Sequence, residues 1–291
     1  MRTDTTRKRA SDEDRPLTFA APIRAPNVRE GLHHSVGALA LVTLLFAAFA
    51  EVRAADPAKL NVDIRGQSQE VYFYPSKAKP PAGRILFAPG DGGWRGFALT
   101  LAETASSWGY EVYGFDTKRY LESFTTAKGA LRPQEVVADM RVLAEKLRRS
   151  SGEGFIFAGW SEGAGLAVLA GAADENKMTF RGIVAIGLTD SAVLGWRWTD
   201  NVTYITKRAP YEPAVATAPY LPKIAPLPFL QIHSSGDEYT AVPLSKKLFE
   251  AAREPKRFSL IQAKDHHFDG NQGDFFRALR EGLNWMKGVG R

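Results

Sequence analysis

A mostly parallel α/β sheet flanked by helices is the fold class this sequence predicts, on three observations. Beyond residue 55, short apolar runs alternate with amphipathic segments of helical length. The apolar runs are rich in Val, Ile, Phe and Tyr, which suits strands buried on both faces. Gly-rich turns follow two of those runs, at Pro89-Gly-Asp-Gly-Gly93 and at Gly159-Trp-Ser-Glu-Gly163.

The elements read in order as follows. Leu60–Ile64 and Glu70–Tyr74 are short opening strands, and Arg84–Pro89 is a buried strand that ends at the first Gly-rich turn. Phe97–Trp108 has helical spacing, and Tyr110–Phe115 is the next strand. Pro133–Arg149 reads as a helix, with proline in its first turn and basic residues at its end. Phe155–Ala158 is a strand followed by a small-residue helix over Glu162–Ala172. Phe180–Ile186, Pro228–Ile232 and Arg257–Ile261 are further strands; Leu244–Arg253 and Phe275–Met286 are helices. The stretch 190–227 has no period. It carries Pro210, Pro213, Pro219, Pro222 and Pro226 among Trp196, Trp198, Tyr204, Tyr211 and Tyr220. A connection that long in a compact domain is either a lid-like insertion over a site or an irregular packed insertion, and both readings stand.

Length and composition fit one such domain plus an N-terminal extension. The chain has 291 residues, 44% of them hydrophobic and 24% charged, so a full core is available and bulk disorder is not expected. With no cysteine, disulfide scaffolds, thiolate metal sites and cysteine nucleophiles are excluded. The net charge of +6 serves solubility or a weak attraction to anionic lipid, and no nucleic-acid motif accompanies it.

The extension is residues 1–55, and the domain is 56–291. Its first part is basic, with Arg2, Arg7, Lys8, Arg9 and Arg15, and an uncharged apolar run follows from Val36 to Ala50. That run is short for a bilayer span and right for the hydrophobic region of a signal peptide. Small residues at Ala48-Phe-Ala50 and Arg53-Ala-Ala55 offer cleavage positions. An uncleaved anchor and a buried core helix are the alternatives. Export, to a periplasm or beyond, follows from either of the first two.

Gly159-Trp-Ser161-Glu-Gly163 matches G-x-S-x-G between a buried strand and a helix, the setting of a nucleophile elbow. The bland alternative is a tight strand-to-helix turn with an incidental serine. The elbow selects the α/β-hydrolase fold, in which an acid and then a histidine follow in chain order. Asp237 lies just after one late strand, and His266 just after the next. Such positions at strand ends are where open α/β sheets build sites. Asp237 would orient the imidazole, and His266 would take the Ser161 proton. Glu238 is the rival acid and His267 the rival base. Adjacent histidines diverge, so no metal is expected, and no cofactor. The oxyanion hole would use the N–H groups of Glu162 and Asp91, with Gly90, Trp94 and Trp160 lining the substrate.

At these residues the chain resembles the VirJ-type α/β-hydrolases, a family that includes the C-terminal domain of AcvB. The resemblance rests on Gly90-Asp-Gly-Gly-Trp-Arg95, Gly114-Phe-Asp-Thr-Lys-Arg-Tyr120, Gly159-Trp-Ser-Glu-Gly-Ala164 and Asp265-His-His-Phe-Asp-Gly270, across residues 60–290. It implies a periplasmic serine esterase that hydrolyses aminoacyl esters of phosphatidylglycerol at the membrane surface, with a role in lipid homeostasis. Two features depart from the family: Glu162 stands where an apolar residue such as Phe is expected, and 190–227 matches loosely. Glu162 and Asp91 would set carboxylates where an aminoacyl ammonium could be received. A general carboxylesterase of dienelactone-hydrolase type and a non-catalytic hydrolase-fold interaction module are the competing readings.

Overall fold

A computed structural model describes residues 57–127, 129–148, 154–197 and 213–289, all within the compact unit Asp56–Arg291. The expectations for the extension fall outside the described residues.

Among the described residues ten strands form, in chain order β1 (Ala58–Ile64), β2 (Gln67–Tyr74), β3 (Gly83–Ala88), β4 (Tyr110–Phe115), β5 (Phe155–Trp160), β6 (Phe180–Ile186), β7 (Ser191–Val193), β8 (Ala214–Ala216), β9 (Phe229–Ser234) and β10 (Lys256–Ile261). Eight make one sheet in the order β1-β2-β4-β3-β5-β6-β9-β10. The β1–β2 and β2–β4 pairs are antiparallel, and every other pair in it is parallel. The C-terminal ends of β5, β6, β9 and β10 therefore share one edge, which brings the segments after them together.

The helices are α1 (Phe97–Ser107), α2 (Thr117–Phe124), α3 (Pro133–Leu147), α4 (Glu162–Ala172), α5 (Val242–Ala251) and α6 (Gln272–Val289). Strand residues alternate between the two layers they cover. On β5, Phe155 and Phe157 join α3 and α4 on one face, while Ile156 and Ala158 join α1 and α6 on the other. The sheet is thus apolar on both sides, as its near-continuous hydrophobic strands foretold.

Two differences from the sequence reading have physical causes. Helix α2 went unread, although Asp116 caps it by accepting from the Arg119 N–H at 3.1 Å, and Tyr120 and Leu121 bury its inner face. Part of the 190–227 stretch is also ordered: β7 pairs antiparallel with β8, and Ala192, Trp196, Leu221 and Ile224 are buried in the core layer around α4. These parts pack as an insertion on the domain. The segment 198–212, which would carry the body of a lid, lies outside the described residues.

Candidate active site

Ser161 sits at the turn between β5 and α4 with φ 56° and ψ −120°, a conformation that non-glycine residues rarely adopt. The turn can be this tight because its flanks lack side chains. A Cβ on Gly159 would lie 2.0 Å from the Gly163 carbonyl oxygen, and one on Gly163 would lie 2.0 Å from the Ala88 carbonyl oxygen. Both clashes are with backbone and cannot be relieved by a rotamer change. The turn is fixed by the Ser161 N–H, which donates to the Ile186 carbonyl at 2.9 Å. Ser161 itself is partly exposed.

The segments after β9 and β10 bring Asp237 and His266 together. Asp237 Oδ2 lies 2.7 Å from His266 Nδ1, and both side chains are almost wholly buried. The other carboxylate oxygen, Oδ1, accepts the Tyr239 and Thr240 N–H groups at 2.9 Å each. Burial alone would raise this carboxyl. The hydrogen bond and charge of His266, with the two amide donors, outweigh it and hold the pKa below the ordinary 3.8. Glu238 takes a different part: its Oε2 accepts the His266 backbone N–H at 2.9 Å, so it anchors the loop rather than the ring.

Two neighbours hold the His266 ring near the elbow. Trp160, the residue before Ser161, stacks on it with centroids 5.6 Å apart and planes 26° apart. On the other strand, a Cβ on Gly187 would lie 2.4 Å from His266 Cε1, and Gly187 directly follows the Ile186 that binds the Ser161 N–H. Ser161 and the imidazole therefore flank the same Ile186–Gly187 peptide. Gly187, with φ 58°, was missed in the sequence because nothing local marks it. His267 points elsewhere: its ring meets Trp160 edge-on at 4.9 Å, and no hydrogen bond joins it to Asp237.

Two expected parts of the site have partners within the protein. Gly90 and Asp91 do approach Ser161, but the Asp91 N–H, expected to be free for a substrate oxygen, donates to Glu162 Oε2 at 2.9 Å. The backbone N–H of Glu162 and the Ser161 hydroxyl also act on this carboxylate, in the direction that favours its charge. Burial and the nearby Asp91 charge push the other way and leave its pKa raised. His266 Nε2, meanwhile, is buried without a hydrogen-bond partner, so the Ser161 hydroxyl is not bonded to it in this state. Second, the aromatic rings expected to line the substrate are largely committed to packing. Trp94 stacks on Tyr72 at 5.0 Å and meets Phe87 edge-on, while Trp160 is 7% exposed and serves as the wall behind His266.

Tyr239 is the side chain that reaches out, at 63% exposed, with its ring edge-on to His266 at 5.1 Å. Its hydroxyl is raised by burial and then by the carboxylates of Glu238, Asp91, Glu162 and Asp237. Among the described residues, those four carboxylates act on the Tyr239 hydroxyl. Among the described residues, no group of three or more His, Asp or Glu side chains could hold a metal ion, and no helix is long and apolar enough to cross a membrane.

Residues 84–200 match the family model described as bacterial virulence protein (VirJ). No curated protein matches the chain by sequence. Many solved structures share its fold. Est1E from Butyrivibrio proteoclasticus superimposes with a TM-score of 0.59 at 13% identity, covering 79% of this chain and 99% of its own. A dienelactone hydrolase from Anabaena variabilis does so at 0.56 and 17%, covering 81% and 100%. XC6422 from Xanthomonas campestris, described as an α/β serine hydrolase without a lid, does so at 0.53 and 17%, covering 79% and 94%. At such identities the likeness establishes the α/β-hydrolase fold, which the sheet order and the elbow display directly.

Proposed function

We propose that this α/β-hydrolase, whose residues 84–200 match the VirJ family, is an exported serine hydrolase that cleaves carboxylic esters through an acyl-enzyme. The observation that carries the reading is the shared peptide: Ser161 and His266 flank Ile186–Gly187, and His266 is oriented by Asp237 at 2.7 Å. Ser161 is the nucleophile. His266, holding its Nδ1 proton toward Asp237, presents Nε2 as the base and later returns the proton to the leaving alcohol. Asp237 fixes the tautomer and stabilises the imidazolium. The Asp91 and Glu162 N–H groups receive the oxyanion. No step calls for a cofactor or metal.

For the acyl group, the carboxylates that act on Tyr239 favour a cation. Carboxylates at Asp91, Glu162 and Glu238 suit the ammonium of an aminoacyl ester, and the VirJ resemblance points to aminoacyl-phosphatidylglycerol as the carrier lipid. The basic, apolar N-terminal segment supports export, to the compartment where such a lipid would be met at a membrane surface. A second reading, a general carboxylesterase on small esters, is favoured by the likeness to the dienelactone hydrolase and by the partial exposure of Ser161. The experiment is hydrolysis of an ester panel, lysyl-phosphatidylglycerol included, by wild type and Ser161→Ala. Turnover of the lipid above that of small neutral esters supports the first reading. Turnover of small esters alone supports the second. A wild-type protein that turns over no ester and takes no fluorophosphonate at Ser161 is a binding module.

A further inference from the structure

Resting on that hydrolase reading, we propose that Glu162 is a specificity-determining residue: its carboxylate is the resident occupant of the oxyanion hole, and an ester is hydrolysed only if it displaces that side chain. The geometry is direct. Glu162 Oε2 takes the Asp91 N–H at 2.9 Å, which is the donor a substrate oxyanion needs. The second expected donor, the Glu162 backbone N–H, and the Ser161 hydroxyl both favour the charged form of the same carboxylate. The seat exists because residue 90 is glycine: a Cβ there would lie 2.9 Å from Oε2, 3.0 Å from Ser161 Cβ and 3.5 Å from Ser161 Oγ. The carboxylate oxygen and the nucleophile thus face the same backbone atom. His266 Nε2 is buried with no hydrogen-bond partner.

Charge explains both why the carboxylate stays and what removes it. As first residue of α4, Glu162 stands at a helix N-terminus, where free N–H groups favour its charged form against the burial and Asp91 charge that raise its pKa. A neutral ester carbonyl is a weaker acceptor and competes poorly for those donors. Leaving costs least when the carboxylate gains a new partner, and an acyl group bearing an ammonium supplies one. Discrimination then arises from a cost imposed on neutral esters as well as from an ion pair offered to cationic ones.

The two contributions separate experimentally. The kcat/KM values of an α-amino aryl ester and a neutral aryl ester of equal length are measured for wild type, Glu162→Gln and Glu162→Ala, with fluorophosphonate labelling rates at Ser161. Expected is a gain of about tenfold for Glu162→Ala on the neutral ester and on labelling, with Glu162→Gln between, as fits loss of a charge-assisted contact. A neutral-ester rate and labelling rate unchanged or lowered in both variants overturns the proposal while leaving the hydrolase reading intact. No Ser161-dependent reaction in any of the three proteins overturns both. The phosphonylated wild-type protein gives a test free of variant stability: its crystal structure should show the phosphonyl oxygen on the Asp91 N–H with the Glu162 carboxylate moved away. A carboxylate still holding that N–H beside the adduct overturns the proposal.

Discussion

Asp237 Oδ2 lies 3.8 Å from Nδ1 of His233, a second imidazole that is wholly buried. His233 Nε2 meets the Thr240 carbonyl at 2.9 Å, so that nitrogen carries the proton and Nδ1 turns a lone pair toward Asp237. Burial lowers the pKa of this ring and keeps it neutral, against the pull of the Asp237 charge. The Thr240 N–H in turn donates to Asp237 Oδ1. His233 therefore clamps the 237–240 turn that aims the acid. His233→Ala should lower kcat about tenfold through misplaced geometry, with KM little changed. It should also cost about 1–3 kcal/mol of stability by orphaning the Thr240 carbonyl. Steady-state kinetics beside a denaturant melt check this, and an unaltered kcat refutes the positioning role.

Asp237→Asn tests the orienting carboxylate. Its amide cannot hold His266 in the required tautomer, so kcat should fall by roughly 10³–10⁴, the scale seen for this exchange in serine proteases. A second consequence is thermodynamic. The folded-state pKa of Asp237 lies below its unfolded value near 3.8, so the folded form binds fewer protons in that window. The stability this group contributes is present above pH 3.8 and is lost as pH falls through the lower folded value. The Asn variant lacks that loss. Its stability should decline less steeply than wild type below pH 4 in acid titrations followed by circular dichroism, where the sign of the slope difference is the readout.

The pair His266 and His267 gives a sharper contrast. His266 holds Asp237, whereas His267 rests edge-on against Trp160. His266→Ala should lose about 10³-fold or more in kcat/KM, and His267→Ala should stay within about threefold of wild type. Equal losses would mean that the second ring also handles the proton.

Much of this was legible because strand runs such as Ile85–Ala88 and Phe155–Ala158 are apolar on both faces and end in Gly-rich turns. The chain order of Ser161, Asp237 and His266 follows from the same pattern, since each stands just past a strand end. What was not legible depends on contacts between distant segments. Gly187 looks like an ordinary strand-end glycine until the His266 ring is set against it. Glu238 competes with Asp237 in sequence, and only the loop geometry sends it to the His266 amide. Glu162 stood out as a foreign residue at its position, but the rotamer that turns its carboxylate onto the Asp91 N–H is no property of the sequence. Helix α2 was readable in principle: Asp116 as cap with Tyr120, Leu121 and Phe124 makes an amphipathic octamer.

Gly163 explains why the elbow motif demands glycine. A methyl there would meet the Ala88 carbonyl oxygen at 2.0 Å and the Pro89 carbonyl oxygen at 2.6 Å. Gly163→Ala should therefore push α4 off β3 and destabilise the domain by about 3 kcal/mol or more. Thermal melts of this variant beside Gly288→Ala make the control, because a Cβ at Gly288 meets nothing within 4 Å. A Gly163→Ala melt matching the control would show that the elbow yields more easily than its backbone contacts imply.

Gly114 and Trp94 form the last testable pair. A Cβ on Gly114 would lie 1.8 Å from Trp94 Cη2, so the indole lies flat over bare backbone of β4 while stacking on Tyr72. Trp94 ends the turn that carries Asp91, and its own N–H donates to Asp116 Oδ2 at 3.2 Å. Gly114→Ala must lift the ring and strain that turn. The Asp91 N–H would then move from the position where it meets Glu162 and, in turnover, a substrate oxygen. We expect a stability loss of about 1–3 kcal/mol and a fall in kcat of about tenfold. Trp94→Leu removes the ring that clashes, so the double variant should recover part of the stability lost by Gly114→Ala alone. That coupling, measured as a double-mutant cycle in denaturant melts, distinguishes steric pressure on Trp94 from a general weakening of β4: additive losses would exclude the steric account.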